Sequence, residues 1–502
     1  MLSESDYTSC DGLALAEHVA RREATAEGLL DHALARTARL DPGFNAIDAI
    51  ADARARERAR RLDAELDAIP GDDARMALLA ARPFLGVPLP LKDLSLACVD
   101  LPSSMGSAYF RSVVWASDAE LVVRYRHAGF VPFARSTSPE LGVSPSTEAT
   151  VYGGPTRNPW HPAHSAGGSS GGAGAVVAAR IVPVAHASDG LGSIRIPASC
   201  CGLVGLKPSR GLMPLGPLAG EGWGGLATEH VITRTVRDTA AALDATAGAD
   251  AGAPYAAPPW SAHGGLHAVR RGALGEVAPL RIAILDTRFD RSPVHPEVAE
   301  AVRAVGRALQ SLGHAVEPDA PRVDLIEEVL RPGLEIVACG TAMAVDARAR
   351  ALGRAPRDDE LSPTIHDAVR IGRATSGARY LAQLGALHAL TRRIAGFWNR
   401  HDLLLTPVLA EPPAVIGRFA MNRPDFVDYR IGPTGIAPYS PFAPLANATG
   451  QPALALPAAW SSLGLPIGVQ FVGRFGDEAT LLALAAQLEQ ALPWSDRRPS
   501  GC

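Results

Sequence analysis

Serine is a poor nucleophile until a neighbouring group takes its proton, and this chain of 502 residues places serines and a lysine in settings where that chemistry is available. Gly167-Gly168-Ser169-Ser170-Gly171-Gly172 is a glycine-rich turn carrying two serines. Ser188-Asp189-Gly190-Leu191-Gly192-Ser193-Ile194-Arg195 is a second, with Ser193 lying 24 residues after Ser169. Glycine permits backbone conformations that side chains forbid, so such turns can approach a ligand closely and aim N–H groups at it. Upstream, the apolar run from Phe84 to Leu91, broken by Pro88 and Pro90, delivers Lys92 at its end. A buried lysine has a lowered pKa and can act as a base. At a surface strand end it would instead pair with the adjacent Asp93.

The elements that position these groups follow from periodicity. Between the two turns, residues 172–180 read as a short helix and residues 182–187 as a buried strand, so the second turn sits at a strand end. Pro197 suits the first turn of a following helix, which points the N–H groups of residues 190–193 into a crevice where open α/β folds bind ligands. Apolar spacing predicts amphipathic helices over 13–40, broken near Ala24-Thr25-Ala26, and over 51–69. The arginines from Arg54 to Arg61 alternate with acids at ion-pair spacing, a solvated helix face rather than a basic patch. A helix over 116–129 and a strand over 131–134 precede a long polar loop, and long loops in compact domains carry function or disorder. Glu221-Gly222-Trp223 is expected to border the site, and residues 248–278, without periodicity, to be flexible. A strand over 280–285 and a helix over 296–312 add another αβ layer. Residues 323–400 are expected to be mostly helical and to cap the cleft.

The charge balance, 48 basic against 52 acidic residues, gives no electrostatic reason to expect nucleic acid or an anionic membrane. The six cysteines form no C-x-x-C pair, which disfavours zinc and a disulfide framework. No leader-like segment and no apolar run of about 18 residues is visible, so the expected setting is cytoplasmic.

Taken together, Leu91-Lys92-Asp93 after Gly86-Val87-Pro88, Asn158-Pro159-Trp160, the Gly167–Gly172 turn, and Gly192-Ser193-Ile194-Arg195-Ile196-Pro197 running to Cys201-Gly202-Leu203-Val204-Gly205-Leu206-Lys207-Pro208 resemble the amidase signature family of Ser-Ser-Lys amidohydrolases. The tail is similar too, at Asn447-Ala448-Thr449-Gly450-Gln451-Pro452-Ala453 and Leu465-Pro466-Ile467-Gly468-Val469-Gln470. The resemblance implies an α/β fold over residues 1–502, a central mixed β-sheet covered by helices on both sides, with the helical cap at 323–400. It makes Ser193 the nucleophile, Ser169 a bridging serine after a cis peptide, and Lys92 the base. The N–H groups of Gly190, Leu191, Gly192 and Ser193 would form the oxyanion hole. Asp189 and Arg195 would pair to brace that turn, with Ser170 in support. Gly167, Gly168, Trp223, Leu191 and Cys339 would border the substrate, Cys339 by similarity to the branch acting on 6-aminohexanoate cyclic dimers. On a helix, Cys339 reads equally as a small buried hydrophobe.

Leu191 departs from the family pattern, which has glycine there; its N–H survives, and its side chain is expected to shape the channel. Gly167-x-Ser169-x-Gly171 also fits the nucleophile elbow of α/β-hydrolases, but that motif needs a strand before the serine, and residues 161–165 read as a loop. His161 and His164 are then polar loop residues and His186 a hydrogen-bonded strand residue. The expectation is hydrolysis of an amide, or a related ester or carbamate, by a monomer or homodimer that needs no metal or organic cofactor. An amidotransferase subunit, which would need a partner chain, is the second enzyme class.

Overall fold

The computed structural model describes residues 2–261 and 263–502; Met1, and Ala262 within the segment expected to be flexible, lie outside the described residues. Eight strands form a mixed sheet in the order β10-β9-β11-β13-β12-β7-β8-β6. They are β6 (Val184–Asp189), β7 (Val204–Lys207), β8 (Thr228–Thr233), β9 (Arg281–Ile284), β10 (Ala315–Pro318), β11 (Leu403–Pro407), β12 (Ala453–Trp460) and β13 (Pro466–Val472). The β10-β9-β11 end is parallel, and the β11-to-β6 run is antiparallel.

A second sheet of three strands, in the order β1-β3-β2, lies beside the free edge of β6: β1 (Ile47–Ile50), β2 (Pro88–Lys92) and β3 (Val131–Ser136). Pro88 and Pro90 have no N–H to give to a ladder, so β2 is confined to an edge. The facing edges of the two sheets are joined through a side chain, His186 Nδ1 accepting the Lys92 main-chain N–H at 3.2 Å. This junction carries the lysine to the strand that leads into the second serine turn.

Local signals explain the main helices. Thr25 Oγ1 accepts from Gly28 N and starts the helix Ala26–Phe44, which is why the first apolar pattern breaks there after Gly12–Ala20. Helix Asp52–Asp67 has Arg56 on Asp52 at 2.7 Å and Arg54 on Glu57 at 3.3 Å along its wet face. The helices of the 323–400 region, Arg331–Leu352, Pro363–Ala374 and Gly377–Ile394, pack over the second serine turn through clusters that include Leu191 and Trp223.

Two expectations are corrected. The segment 248–278 contains a helix, Gly264–Ala273, capped by Asp244, which accepts from Gly265 N at 2.8 Å and Leu266 N at 3.0 Å. It packs on the closing helix Glu478–Ala491 through Gly272, which leaves no room for a Cβ beside the Ala483 carbonyl. Its apolar positions, Leu266, Val269 and Ala273, do recur at helical spacing, but the Ala-, Gly- and Pro-rich chain ahead of it hid them. Residues 161–165 form a strand, β5 (His161–Ser165), in a hairpin with β4 (Arg157–Asn158). Strand β1 and helix Asp72–Ala81 are further elements that the periodicity did not single out. Among the described residues no helix is long and apolar enough to cross a membrane.

Candidate active site

Lys92 is completely buried at the end of β2. Its Nζ donates to Ser169 Oγ at 2.7 Å and to Ser188 Oγ at 2.9 Å. Burial lowers its pKa to about 7, working against the negative charges of Glu229 and Asp189, which raise it. The neutral amine is therefore well populated near neutral pH. Asp93, the surface-pair alternative, turns elsewhere, accepting from Ser104 N at 2.9 Å and Tyr152 OH at 2.7 Å.

The Gly168–Ser169 peptide is cis, as the resemblance implies. Gly167 and Gly168, expected to border the substrate, are not among the residues lining the cavity that holds Ser169 and Ser193. A Cβ on Gly168 would lie 2.7 Å from the Ser144 carbonyl oxygen, and one on Gly167, whose φ is 82°, 2.8 Å from Pro197 Cα. They let the first turn close onto the 144–146 loop and the helix Arg195–Cys201. Ser170 binds the two turns together: its N–H donates to Ser193 O at 3.3 Å, and its Oγ donates to Ser188 O at 3.2 Å and accepts from Ser188 N at 3.3 Å. Ser169 and Ser193 thereby face one cavity, Ser193 half-buried and Ser169 2% exposed.

Asp189 and Arg195, both fully buried, pair at 3.0 Å as expected. Burial alone would raise the Asp189 pKa, but the Arg195 charge, with hydrogen bonds from Arg195 and Asn447, holds it well below the usual carboxylate range. Asp189 also accepts from Gly192 N at 2.6 Å and Ile194 N at 3.1 Å. This narrows the expected set of oxyanion donors. The Gly192 N–H is turned to Asp189, while those of Gly190, Leu191 and Ser193 have no acceptor among the described residues.

The positive φ of the turn, 124°, falls on Gly192, and Leu191 keeps a backbone conformation open to any residue. Glycine is thus dispensable at 191. The Leu191 side chain does not line the cavity either; it packs against the clusters of Leu334 and Val337 and of Leu226 and Ile336. Cys339 was expected to border the substrate. Its Sγ faces the Gly372 carbonyl at 3.9 Å, and the following Gly340 and Thr341 line the cavity in its place. Trp223 does line it, with Glu221 and Gly222, its ring lying against Gly190 and Gly340 so closely that neither has room for a Cβ. The cavity holds about 310 Å³, at the small end for ligand pockets.

Four polar residues of the site had no assigned role. Ser188 is the second hydroxyl on Lys92, and Glu229 lines the cavity and bonds His186 Nε2 at 2.9 Å. Asn447 Nδ2 donates to the Asp189 main-chain oxygen at 3.1 Å and to its Oδ1 at 2.9 Å, and Arg195 reaches Gln470 Oε1 at 3.0 Å. Ser188 adjoins the turn and was findable. The others depend on contacts across strands or between distant segments. None of these histidines hydrogen-bonds Ser169 or Ser193: His186 accepts the Lys92 main-chain N–H, while His161 and His164 meet edge to face on the β4–β5 hairpin with ring centroids 4.4 Å apart.

The amidase family profile matches residues 28–482. The chain belongs to the amidase signature family. Among amidase-signature relatives, the 6-aminohexanoate-cyclic-dimer hydrolase of Pseudomonas sp. (strain NK87) is 34% identical, over 97% of this chain and 96% of that one. A solved structure of 6-aminohexanoate cyclic dimer hydrolase matches with a TM-score of 0.86 at 33% identity, covering 98% of this chain and 99% of the other. A bacterial aryl acylamidase of the same family matches with a TM-score of 0.85 at 25% identity, over 97% of each chain. This amidase is accordingly a hydrolase of C–N amide bonds.

Proposed function

We propose that this amidase cleaves the carboxamide bond of a small, largely apolar substrate through an acyl-enzyme on Ser193, with Lys92 as base and Ser169 as the bridge. The observation that carries the reading is the 2.7 Å contact between a buried Lys92 Nζ and Ser169 Oγ in the cavity that also holds Ser193. With Lys92 neutral, that contact can run from Ser169 O–H to the amine lone pair, and Ser169 Oγ can in turn take the Ser193 proton. Ser193 Oγ attacks the carbonyl carbon, and the oxyanion is met by the N–H groups of Gly190, Leu191 and Ser193. Each such donor is worth about 2.7–4 kcal/mol in comparable sites. Collapse breaks the C–N bond, and the proton held by Lys92 returns through Ser169 to the leaving amine. Water then attacks the acyl-enzyme by the same relay, releasing the acid and restoring Ser193.

Aryl amides, and linear or cyclic amides of aminoalkanoates, are the first substrates to examine, since the relatives act on members of these classes. Esters and carbamates share the tetrahedral chemistry, and a carbamate product would lose carbon dioxide to leave an amine. An amidotransferase role would need a partner chain and a route for ammonia. The test is release of aniline from a simple anilide by the purified chain alone. Turnover by the chain and none by Ser193→Ala supports the reading, whereas intact turnover in Ser193→Ala overturns it.

A further inference from the structure

The cavity has mostly apolar walls, and its charged lining residues are two carboxylates, Glu221 and Glu229. Glu221 stands exposed at the rim and accepts from Tyr255 OH. Glu229 is deeper. It lies on β8 directly opposite Ser188 of β6, so its side chain shares a sheet face with the hydroxyl that holds Lys92 Nζ. One carboxylate oxygen, Oε2, meets His186 Nε2 at 2.9 Å. The neighbours set the histidine tautomer: Nδ1 accepts the Lys92 main-chain N–H, so Nε2 carries the proton and donates to Glu229.

The other oxygen, Oε1, has no donor among the described residues. The Glu229 side chain is 12% exposed, and the cavity is what it borders. Lys92 does not occupy this oxygen, because its Nζ bonds go to Ser169 and Ser188. An acceptor left open in a partly desolvated wall favours a charged or N–H-rich donor and repels a second carboxylate.

We propose that Glu229 selects substrate charge: the cavity prefers amides carrying a basic nitrogen within reach of Glu229 Oε1 and discriminates against those carrying a carboxylate there. This rests on the amide-hydrolase reading for the substrate class, and its test separates the two. Three anilides of equal acyl length, 6-aminohexananilide, hexananilide and the monoanilide of adipic acid, are bound to full-length Ser193→Ala by titration calorimetry. At about pH 8 the added amine is protonated and the added acid ionised. The ammonium ligand is expected to bind at least about tenfold more tightly than the carboxylate ligand, with the neutral one between, the order expected of one charge pair in a shielded site. Adding Glu229→Gln, which keeps an acceptor for His186, should shrink that spread to about threefold or less, while adding Glu221→Gln leaves most of it. An unchanged spread in Glu229→Gln, or a carboxylate ligand bound as tightly as the ammonium one, overturns the proposal. Turnover of hexananilide by the unaltered chain is scored separately. Its absence would overturn the hydrolase reading while the binding order still decides the role of Glu229.

Discussion

Two lysines end two strands of this fold, both are fully enclosed, and burial brings both down to about pKa 7, yet only one stands where it can act as a base. Lys92, at the end of β2, touches the hydroxyls of Ser169 and Ser188 beside a cavity. Lys207, at the end of β7, donates to the Pro208 carbonyl at 2.7 Å and lies outside that cavity. A hydroxyl both donates and accepts, so it can hand a proton to a neutral amine and take another from a nucleophile. A carbonyl can only accept. Burial makes a lysine able to be neutral; its hydrogen-bond partner determines whether neutrality does chemistry.

Removing the proposed nucleophile should have the largest effect. Ser193→Ala is expected to lower kcat by roughly 10⁴-fold or more, measured as amine release with the Michaelis complex still formed. Lys92→Ala follows, at about 10²–10⁴-fold, and Ser169→Ala should fall in the same range because it severs the same path. Single-turnover acylation rates check both, and a full rate in either variant would break the contrast between the two lysines. In the unaltered enzyme the proposed relay needs neutral Lys92, so kcat/KM should climb as pH rises through about 7 and level off above it.

The parts of this contrast that were legible in the sequence are those written locally. An apolar strand ending on Lys92, two glycine-rich serine turns, Asp189 and Arg195 within one turn, and the break in the apolar pattern near Thr25 all lie within a few residues of what they organise. The direction of a side chain on an element was not legible. Cys339 sits one position before residues that line the cavity, and helix rotation turns its sulfur to Gly372 instead. Leu191 was legible as a departure but not its consequence, because the turn places its positive φ on Gly192. The roles of Glu229 and Asn447 were not legible because they come from a cross-strand register and from a helix more than two hundred residues away. Strand β1 was missed because only Ile47 and Ala49 of its four residues face inward, and helix Gly264–Ala273 because the Ala-, Gly- and Pro-rich chain before it obscured its pattern.

A smaller effect sharpens the comparison from the side of the field around Lys92. Glu229 and Asp189 are the negative charges that hold its pKa up against burial, and Asp189 is already matched by Arg195. Neutralising Glu229 removes a charge that favours the protonated amine, so the pKa of Lys92 falls. The acid limb of kcat/KM for a neutral anilide should therefore move to lower pH in Glu229→Gln, by about half a unit to one unit. A shift to higher pH, or none, would mean that this carboxylate does not act on the base.

The smallest effect on turnover is expected at the other lysine. Lys207→Met keeps much of the buried stem and removes a group with no path to Ser193, so the acid limb should stay near its original position and kcat should change less than about threefold. Its stability should nevertheless respond to pH. The folded pKa of Lys207, about 7, lies below the value near 10.4 of an unfolded lysine, so the unfolded chain binds the extra proton between these limits. Stability contributed through this group consequently rises with pH across that window and is complete above it. Lys92 contributes in the same sense, so Lys207→Met should remove one of two similar slopes, about 1–3 kcal/mol between pH 7.5 and 10 by urea unfolding. If instead Lys207→Met moved the acid limb of activity, the titration near 7 would belong at least in part to the wrong strand end, and assignment of the base to Lys92 would lose its pH evidence.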